Sequence, residues 1–124
     1  MASIHRSLKR LIDERRERLL DEQVVIDEND GDALHRVYIE LGERGVMFTV
    51  WDTGMAQVSA IDYLADGIPS ELAIEEVTGG VVARILDALE SWLLRRSAVG
   101  ISAERLIVFI ESELSSWGLR HRGW

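Results

Sequence analysis

Apolar residues first recur at three- and four-residue steps, and a little further along the chain they switch to strict alternation. Ile4, Leu8, Leu11, Ile12, Leu19 and Leu20 lie on one stripe of a helical wheel, which predicts an amphipathic helix over residues 2 to about 22. Ser3 stands where an N-cap belongs, and Glu14 and Arg18 have the favourable i,i+4 order on the solvent side. From Leu34 to Leu41 the period falls to two. Val37, Ile39 and Leu41 share one face, and Arg36, Tyr38 and Glu40 share the other. Residues 46–51 repeat the pattern, with Val46, Phe48 and Val50 opposite Met47, Thr49 and Trp51. Residues 56–63 follow it more weakly, with Val58 and Ala60 opposite Ser59, Ile61 and Tyr63. Gly42-Glu43-Arg44-Gly45 and Asp52-Thr53-Gly54 supply the turns between these strands. Val24, Val25 and Ile26 form a further short β-prone run, and Glu28-Asn29-Asp30-Gly31-Asp32 reads as the turn after it.

The only proline, Pro69, lies in a linking segment over residues 65–70. Residues 72–77 read as a short edge strand or an extended lead-in. Thr78 then caps a helix over 79–96 whose stripe is Val82, Ile85, Leu86, Leu89, Trp92 and Leu93, with Arg95 and Arg96 in its last turn. Val99-Gly100 breaks the chain. Ser102 caps a last helix to about residue 117, with Leu106, Phe109, Ile110, Leu114 and Trp117 inward and Gly118 ending it. Strands in one block with helices at both ends predict an α+β fold. The expected architecture is a small antiparallel meander of three to four strands, with an N-terminal helix and two C-terminal helices packed on it. It forms one domain over residues 1–118, followed by a tail at 119–124.

At 124 residues and 47% hydrophobic content, one buried core is expected rather than disorder. The lack of cysteine excludes disulfides, thiolate zinc sites and a cysteine nucleophile, and fits a reducing compartment. Arg6, Lys9, Arg10, Asp13 and Glu14 interrupt the apolar run that a signal peptide would need, so a cytoplasmic protein is expected. Thirteen Arg against one Lys suits a GC-rich bacterial gene.

Charge changes the picture most. The net charge is −8, and residues 21–76 hold 14 Asp and Glu against two Arg. Such a field disfavours nucleic acid and anionic membrane surfaces and favours a cationic partner. The Trp117 to Trp124 stretch mixes Trp, Arg and His and could stack on bases, but the whole-chain charge opposes this.

Catalytic and metal signals are weak. Asp27 to Asp32 resembles half a calcium loop. With Gly31 at position six, however, Ile26 and Val37 occupy positions one and twelve, where ligands are required. Thr78-Gly79-Gly80 opens a helix without a full phosphate-binding fingerprint, and Glu75 and Glu76 would repel a phosphate. His5, His35 and His121 lie on three separate segments without metal-ligand spacing, and His35 reads as a surface histidine among acids. Asp52 and Asp62, at strand ends, are the carboxylate pair best placed to face each other. No metal, cofactor or catalytic activity is expected.

The second face of the meander carries the functional expectation. Tyr38, Met47, Trp51 and Tyr63 point away from the core positions, with Glu40, Glu43, Asp52 and Asp62 placed to form an acidic rim. Aromatic residues and Met amid polar neighbours are the composition of binding hot spots. If the first helix does not cover this face, it suits a basic protein partner, most concretely a nuclease-like toxin bound by an inhibitor or immunity-type protein. Two alternatives stand beside this. One is a dimeric chaperone-like or scaffold protein that holds an unfolded client, which predicts an exposed apolar groove and a stable homodimer; separately, the helix face with Lys9, Arg10 and Arg16 reads as solvated rather than as a surface pairing with the acidic region of a second copy. The other is a small enzyme using Asp52, Asp62 or His35.

Overall fold

The first apolar stripe folds as α1 (Ile4–Asp21). The alternating segments fold as β1 (Val25–Asp30), β2 (Leu34–Leu41), β3 (Arg44–Trp51), β4 (Ala56–Asp62) and β5 (Ser70–Ile74), followed by α2 (Gly79–Leu93), α3 (Ala103–Ser116) and a short β6 (His121–Gly123). This computed structural model describes residues 4–65, 67–94 and 102–116 together with the backbone of 121–123. The sheet order is β1-β2-β3-β4-β5-β6, and every pair is antiparallel. Strands joined by short connections pair with their neighbours in sequence, which yields a meander.

The α+β class is as expected; the strand number is larger. Five consecutive strands form instead of three or four, and β6 pairs with β5 inside the segment read as a tail. β1 accounts for one difference. Glu28, Asn29 and Asp30 favour turns locally, yet the ladder holds them extended opposite Val37, Arg36 and His35. The turn follows them, where the Gly31 N–H donates to the Leu34 carbonyl at 2.9 Å. The half calcium loop is therefore mostly strand. β5 accounts for the other. It starts at Ser70, two residues before the apolar run, because Leu72 and Ile74 pair with Val58 and Ala56 and carry Ser70 and Glu71 into the ladder.

Register builds the core. Val37, Phe48, Val58 and Leu72 stand side by side on one face, with Ile39, Val46 and Ala60 in the next row and Val50, Ala56 and Ile74 in the row beyond. All are buried, and the three helices cover them with Leu8, Ile12 and Leu19 from α1, Ile85, Leu89 and Trp92 from α2, and Leu106, Ile110 and Leu114 from α3. Thr78 Oγ1 accepts the Val81 N–H at 3.3 Å and Ser102 Oγ accepts the Arg105 N–H at 3.2 Å, so both expected caps are made. Phe109 was expected inward but is 52% exposed. Ile107 takes the buried position, completing a 103, 106, 107, 110, 114 stripe. A Cβ on Gly79, at the start of α2, would meet Ser7 Oγ of α1 at 3.6 Å, an ordinary van der Waals contact. The Ser3 cap, Arg95, Arg96, Trp117 and Gly118 lie outside the described residues.

Cations of α1 bind acids of this same chain. Arg15 reaches Asp87 at 2.8 Å and Glu90 at 3.5 Å, and Arg18 reaches Glu90 at 2.6 Å, joining α1 to α2 around the nearly buried Glu90. Lys9 and Arg16 both hold Asp13, and Arg16 also binds Glu28.

Candidate interaction face

Because the core residues of the sheet all share one face and the helices lie on that face, no helix among the described residues covers the opposite face. Register sets its contents. One row runs Asp27, Tyr38, Met47, Ser59, Glu71; a second runs Val25, Glu40, Gly45, Ile61; a third runs Asn29, Arg36, Thr49, Gln57, Ala73. An antiparallel sheet can leave one face to water, where polar side chains are usual. Here Tyr38, Met47 and Ile61 occupy central positions, each partly exposed, with Asp27 and Glu71 closing one row at either edge. Arg36 is tied down, its Nε donating to Thr49 Oγ1 at 3.0 Å.

Tyr38 lies along the sheet. A Cβ on Gly45 would sit 2.5 Å from the Tyr38 hydroxyl oxygen and 3.1 Å from the adjoining ring carbon. The glycine therefore leaves the space that the ring occupies diagonally across the strand pair. Burial, and after it the neighbouring Tyr63 side chain and Glu40 carboxylate, raise the Tyr38 pKa above its ordinary value, so the phenol keeps its proton. Tyr63 follows β4 in a turn, is 55% exposed, and donates its N–H to the Glu43 carbonyl at 2.8 Å. Leu64 and Ile68, in the β4–β5 connection, are more exposed still.

The structure gathers Tyr38, Glu40, Met47 and Tyr63, with Glu43 in the turn beside them. It does not bring Trp51 and Asp52 there. Trp51 shares the face but stands four residues beyond Met47, about 13 Å along β3. Asp52 begins the turn at that far end. Asp62 differs in another way, because its side chain is on the helix-covered face. There Arg44 Nε lies 3.4 Å from Asp62 Oδ2, Arg44 Nη1 donates to the Trp92 carbonyl at 2.8 Å, and the guanidinium sits 4.6 Å from the Trp92 ring centroid. Asp52 and Asp62 thus stand at opposite ends of the β3–β4 hairpin, more than about 20 Å apart, and do not form a catalytic pair. The acids that flank the aromatic centre are Asp27, Glu40 and Glu71. Two of these escaped the sequence reading, since only the cross-strand register places Asp27 beside Tyr38 and Glu71 beside Ser59.

His35 is a correction. It is fully buried, with Nε2 2.7 Å from Glu28 Oε2 and Nδ1 3.2 Å from Asp30 Oδ1. Once Glu28 and Asp30 are strand residues, alternation turns both toward α1 and next to this ring. Burial lowers the His35 pKa below its ordinary value of 6.5, against the opposite pull of Asp30; Lys9 adds to the lowering and Asp13 opposes it. A neutral imidazole has one N–H and can donate to only one of the two carboxylates. The folded state therefore binds fewer protons here than the unfolded state, and this stability is present above pH 6.5 and is lost as pH falls through the lowered value. Urea midpoints between pH 7.5 and 5 should fall for the native chain and fall less for His35→Gln. Equal slopes would assign the pH dependence to other groups.

His5, in the first turn of α1, is buried with neither ring nitrogen hydrogen-bonded. Among the described residues, no group of three His, Asp or Glu side chains is placed to hold a metal, and no helix is long and apolar enough to cross a membrane. A groove of about 340 Å3 runs between α2 and α3, floored by Ile85, Trp92, Leu106 and Ile110 and walled by Phe109. No family model, no curated protein and no solved structure matches this chain.

Proposed function

We propose that this chain is a non-enzymatic, acidic protein-interaction module of the bacterial cytoplasm. Its most concrete form is an immunity- or inhibitor-type protein that occludes the cationic site of a basic partner such as a toxin nuclease. The single observation that carries this reading is the helix-free sheet face, on which Tyr38, Met47 and Ile61 are flanked by Asp27, Glu40 and Glu71. A rigid sheet supplies pre-organised contact area, the tyrosines supply anchors, and the net charge of −8 steers encounter with a cationic surface. Carboxylates at the edges of the row would act on the association rate, and the aromatic centre on the dissociation rate.

The test is binding to a basic nuclease-type toxin, sought first among the products of neighbouring genes. Tyr38→Ala should weaken the complex by about 2 kcal/mol, mainly through faster dissociation. Raising salt from 50 to 500 mM, which cuts the Debye length to about a third, should slow association at least about tenfold while changing dissociation little. An association rate indifferent to salt would refute electrostatic capture. The α2–α3 groove and the half-exposed Val108 and Phe109 favour a second reading, a self-associating scaffold. Light scattering separates the two: a salt-resistant dimer that Phe109→Glu dissociates supports the scaffold, and a monomer supports the inhibitor.

A further inference from the structure

We infer that the Tyr38 ring is a platform for an arginine side chain of the partner, with Glu40 as the carboxylate that receives its guanidinium and Asp27 adding negative charge behind the ring. The inference rests on the reading of the open face as a surface for a cationic protein and adds which cation it selects. Three features of the face lead to it.

The first is the attitude of the ring. On an open sheet face a tyrosine ordinarily stands off the strands, its ring edge toward water. Here the hydroxyl end of Tyr38 lies over Gly45, in space that any other residue would fill with its Cβ. A ring lying along the sheet turns one face down onto the backbone and the other outward. The outward face of an aromatic ring carries negative quadrupolar potential and attracts a cation placed over it.

The second is the arrangement of charge. Asp27 is the direct cross-strand partner of Tyr38, and Glu40 lies two residues along β2 on the same face, opposite Gly45. Directly paired residues stand about 5 Å apart and i,i+2 neighbours about 7 Å apart. The ring runs from β2 toward Gly45 on β3, so Glu40 stands beside the ring and Asp27, on β1, stands behind its root. The cation nearest on this face, Arg36, is hydrogen-bonded to Thr49.

The third is the choice between the two cationic side chains. A guanidinium is planar and weakly hydrated, stacks on an aromatic face, and offers five N–H donors in its plane, so it can lie on Tyr38 while donating sideways to Glu40. An ammonium is a strongly hydrated point charge that satisfies one acid well and gains less from the ring.

The experiment titrates the 15N-labelled full chain with nonaarginine and, separately, nonalysine at one ionic strength, following amide shifts. Nonaarginine should bind at least about threefold more tightly, with the largest shifts at Tyr38, Gly45 and Met47. Tyr38→Leu should make the two peptides equal while both still bind, and Tyr38→Phe should keep the preference. Gly45→Ala should also abolish the preference in a folded protein, because the group its Cβ displaces is the movable end of Tyr38. Equal affinity of the native chain for both peptides, or a preference for arginine that survives Tyr38→Leu, overturns the platform and leaves the acidic-face reading standing. Failure of both peptides to bind at low salt overturns both.

Discussion

Replacing Arg44 by Met is expected to destabilise the fold by about 3 kcal/mol or more, read as a lowered urea midpoint at unchanged slope. Arg44 begins β3 on the helix-covered face and is only 7% exposed. Its guanidinium meets the Asp62 carboxylate, the Trp92 carbonyl and the Trp92 ring together. The carbonyl is near the C-terminus of α2, where unpaired carbonyls and the helix dipole favour a cation. Removing the cation leaves a largely buried Asp62 without its counter-charge and the Trp92 carbonyl without this donor. The cost of an unpaired buried group is what makes the loss large; the net worth of the intact pair is smaller. The double variant Arg44→Met with Asp62→Leu should therefore be more stable than Arg44→Met alone, since no orphaned carboxylate remains. If the double variant is the less stable of the two, the penalty comes from lost packing of the arginine stem rather than from the orphaned charge.

Phe48→Ala is expected to cost about 4 kcal/mol, a large share of the 5–15 kcal/mol by which domains are typically stable. Phe48 is fully buried at the middle of a central strand, with Val37 directly opposite on one side and Val58 on the other. Both neighbours are β-branched and hold one rotamer on a pleated backbone, so they cannot lean far into the vacated space. The helices above are held by their own contacts with the sheet. A loss below about 1.5 kcal/mol in chemical denaturation would show that the helix layer collapses onto the sheet and fills the cavity. Comparison with Val108→Ala, at an exposed position of α3, controls for general effects; that change should stay within about 0.5 kcal/mol.

Where local pattern was strong, the sequence predicted well. The α1 stripe, the alternation of β2 to β4 and the Thr78 and Ser102 caps follow from residue type and spacing, whereas the turn read over Gly42 to Gly45 tightens to two residues because Arg44 and Gly45 join the ladder. Gly42 indeed takes a φ of +61°, which favours glycine at the first central position of such a turn. The split of β2 and β3 into two faces was equally plain, and it placed Tyr38, Met47 and Trp51 together on the side away from the core. The assignment failed where residues of turn character are held by a neighbour. Glu28 to Asp30 carry no β signal of their own, and Ser70 and Glu71 precede an apolar run rather than belong to it. The ladder with β2 or β4 outweighs a propensity of a few tenths of a kcal/mol per residue.

The same effect decided the candidate site. Reading Glu28 and Asp30 as turn residues made His35 a surface group; pairing them with Val37 and His35 turned them inward and buried the ring. Alternation put Asp62 on the face of Ala60, yet its position at a strand end suggested a solvent rim; the β3–β4 register pairs it directly with Arg44. Asp27 and Glu71 are distant in sequence from Tyr38 and were found only through register.

Composition and periodicity by themselves determined the α+β class, the helices, which side chains of β2 and β3 are core, and an acidic middle of the chain. These are properties of residues and of neighbours within four positions, where 3.6-fold and twofold repeats operate. The tertiary structure alone decided how many strands join, that the helices share one side of the sheet, that Tyr38 lies over Gly45, and which carboxylates flank it. Those depend on contacts between residues tens of positions apart, and the free energy that selects them resides in pairing and burial rather than in any local preference.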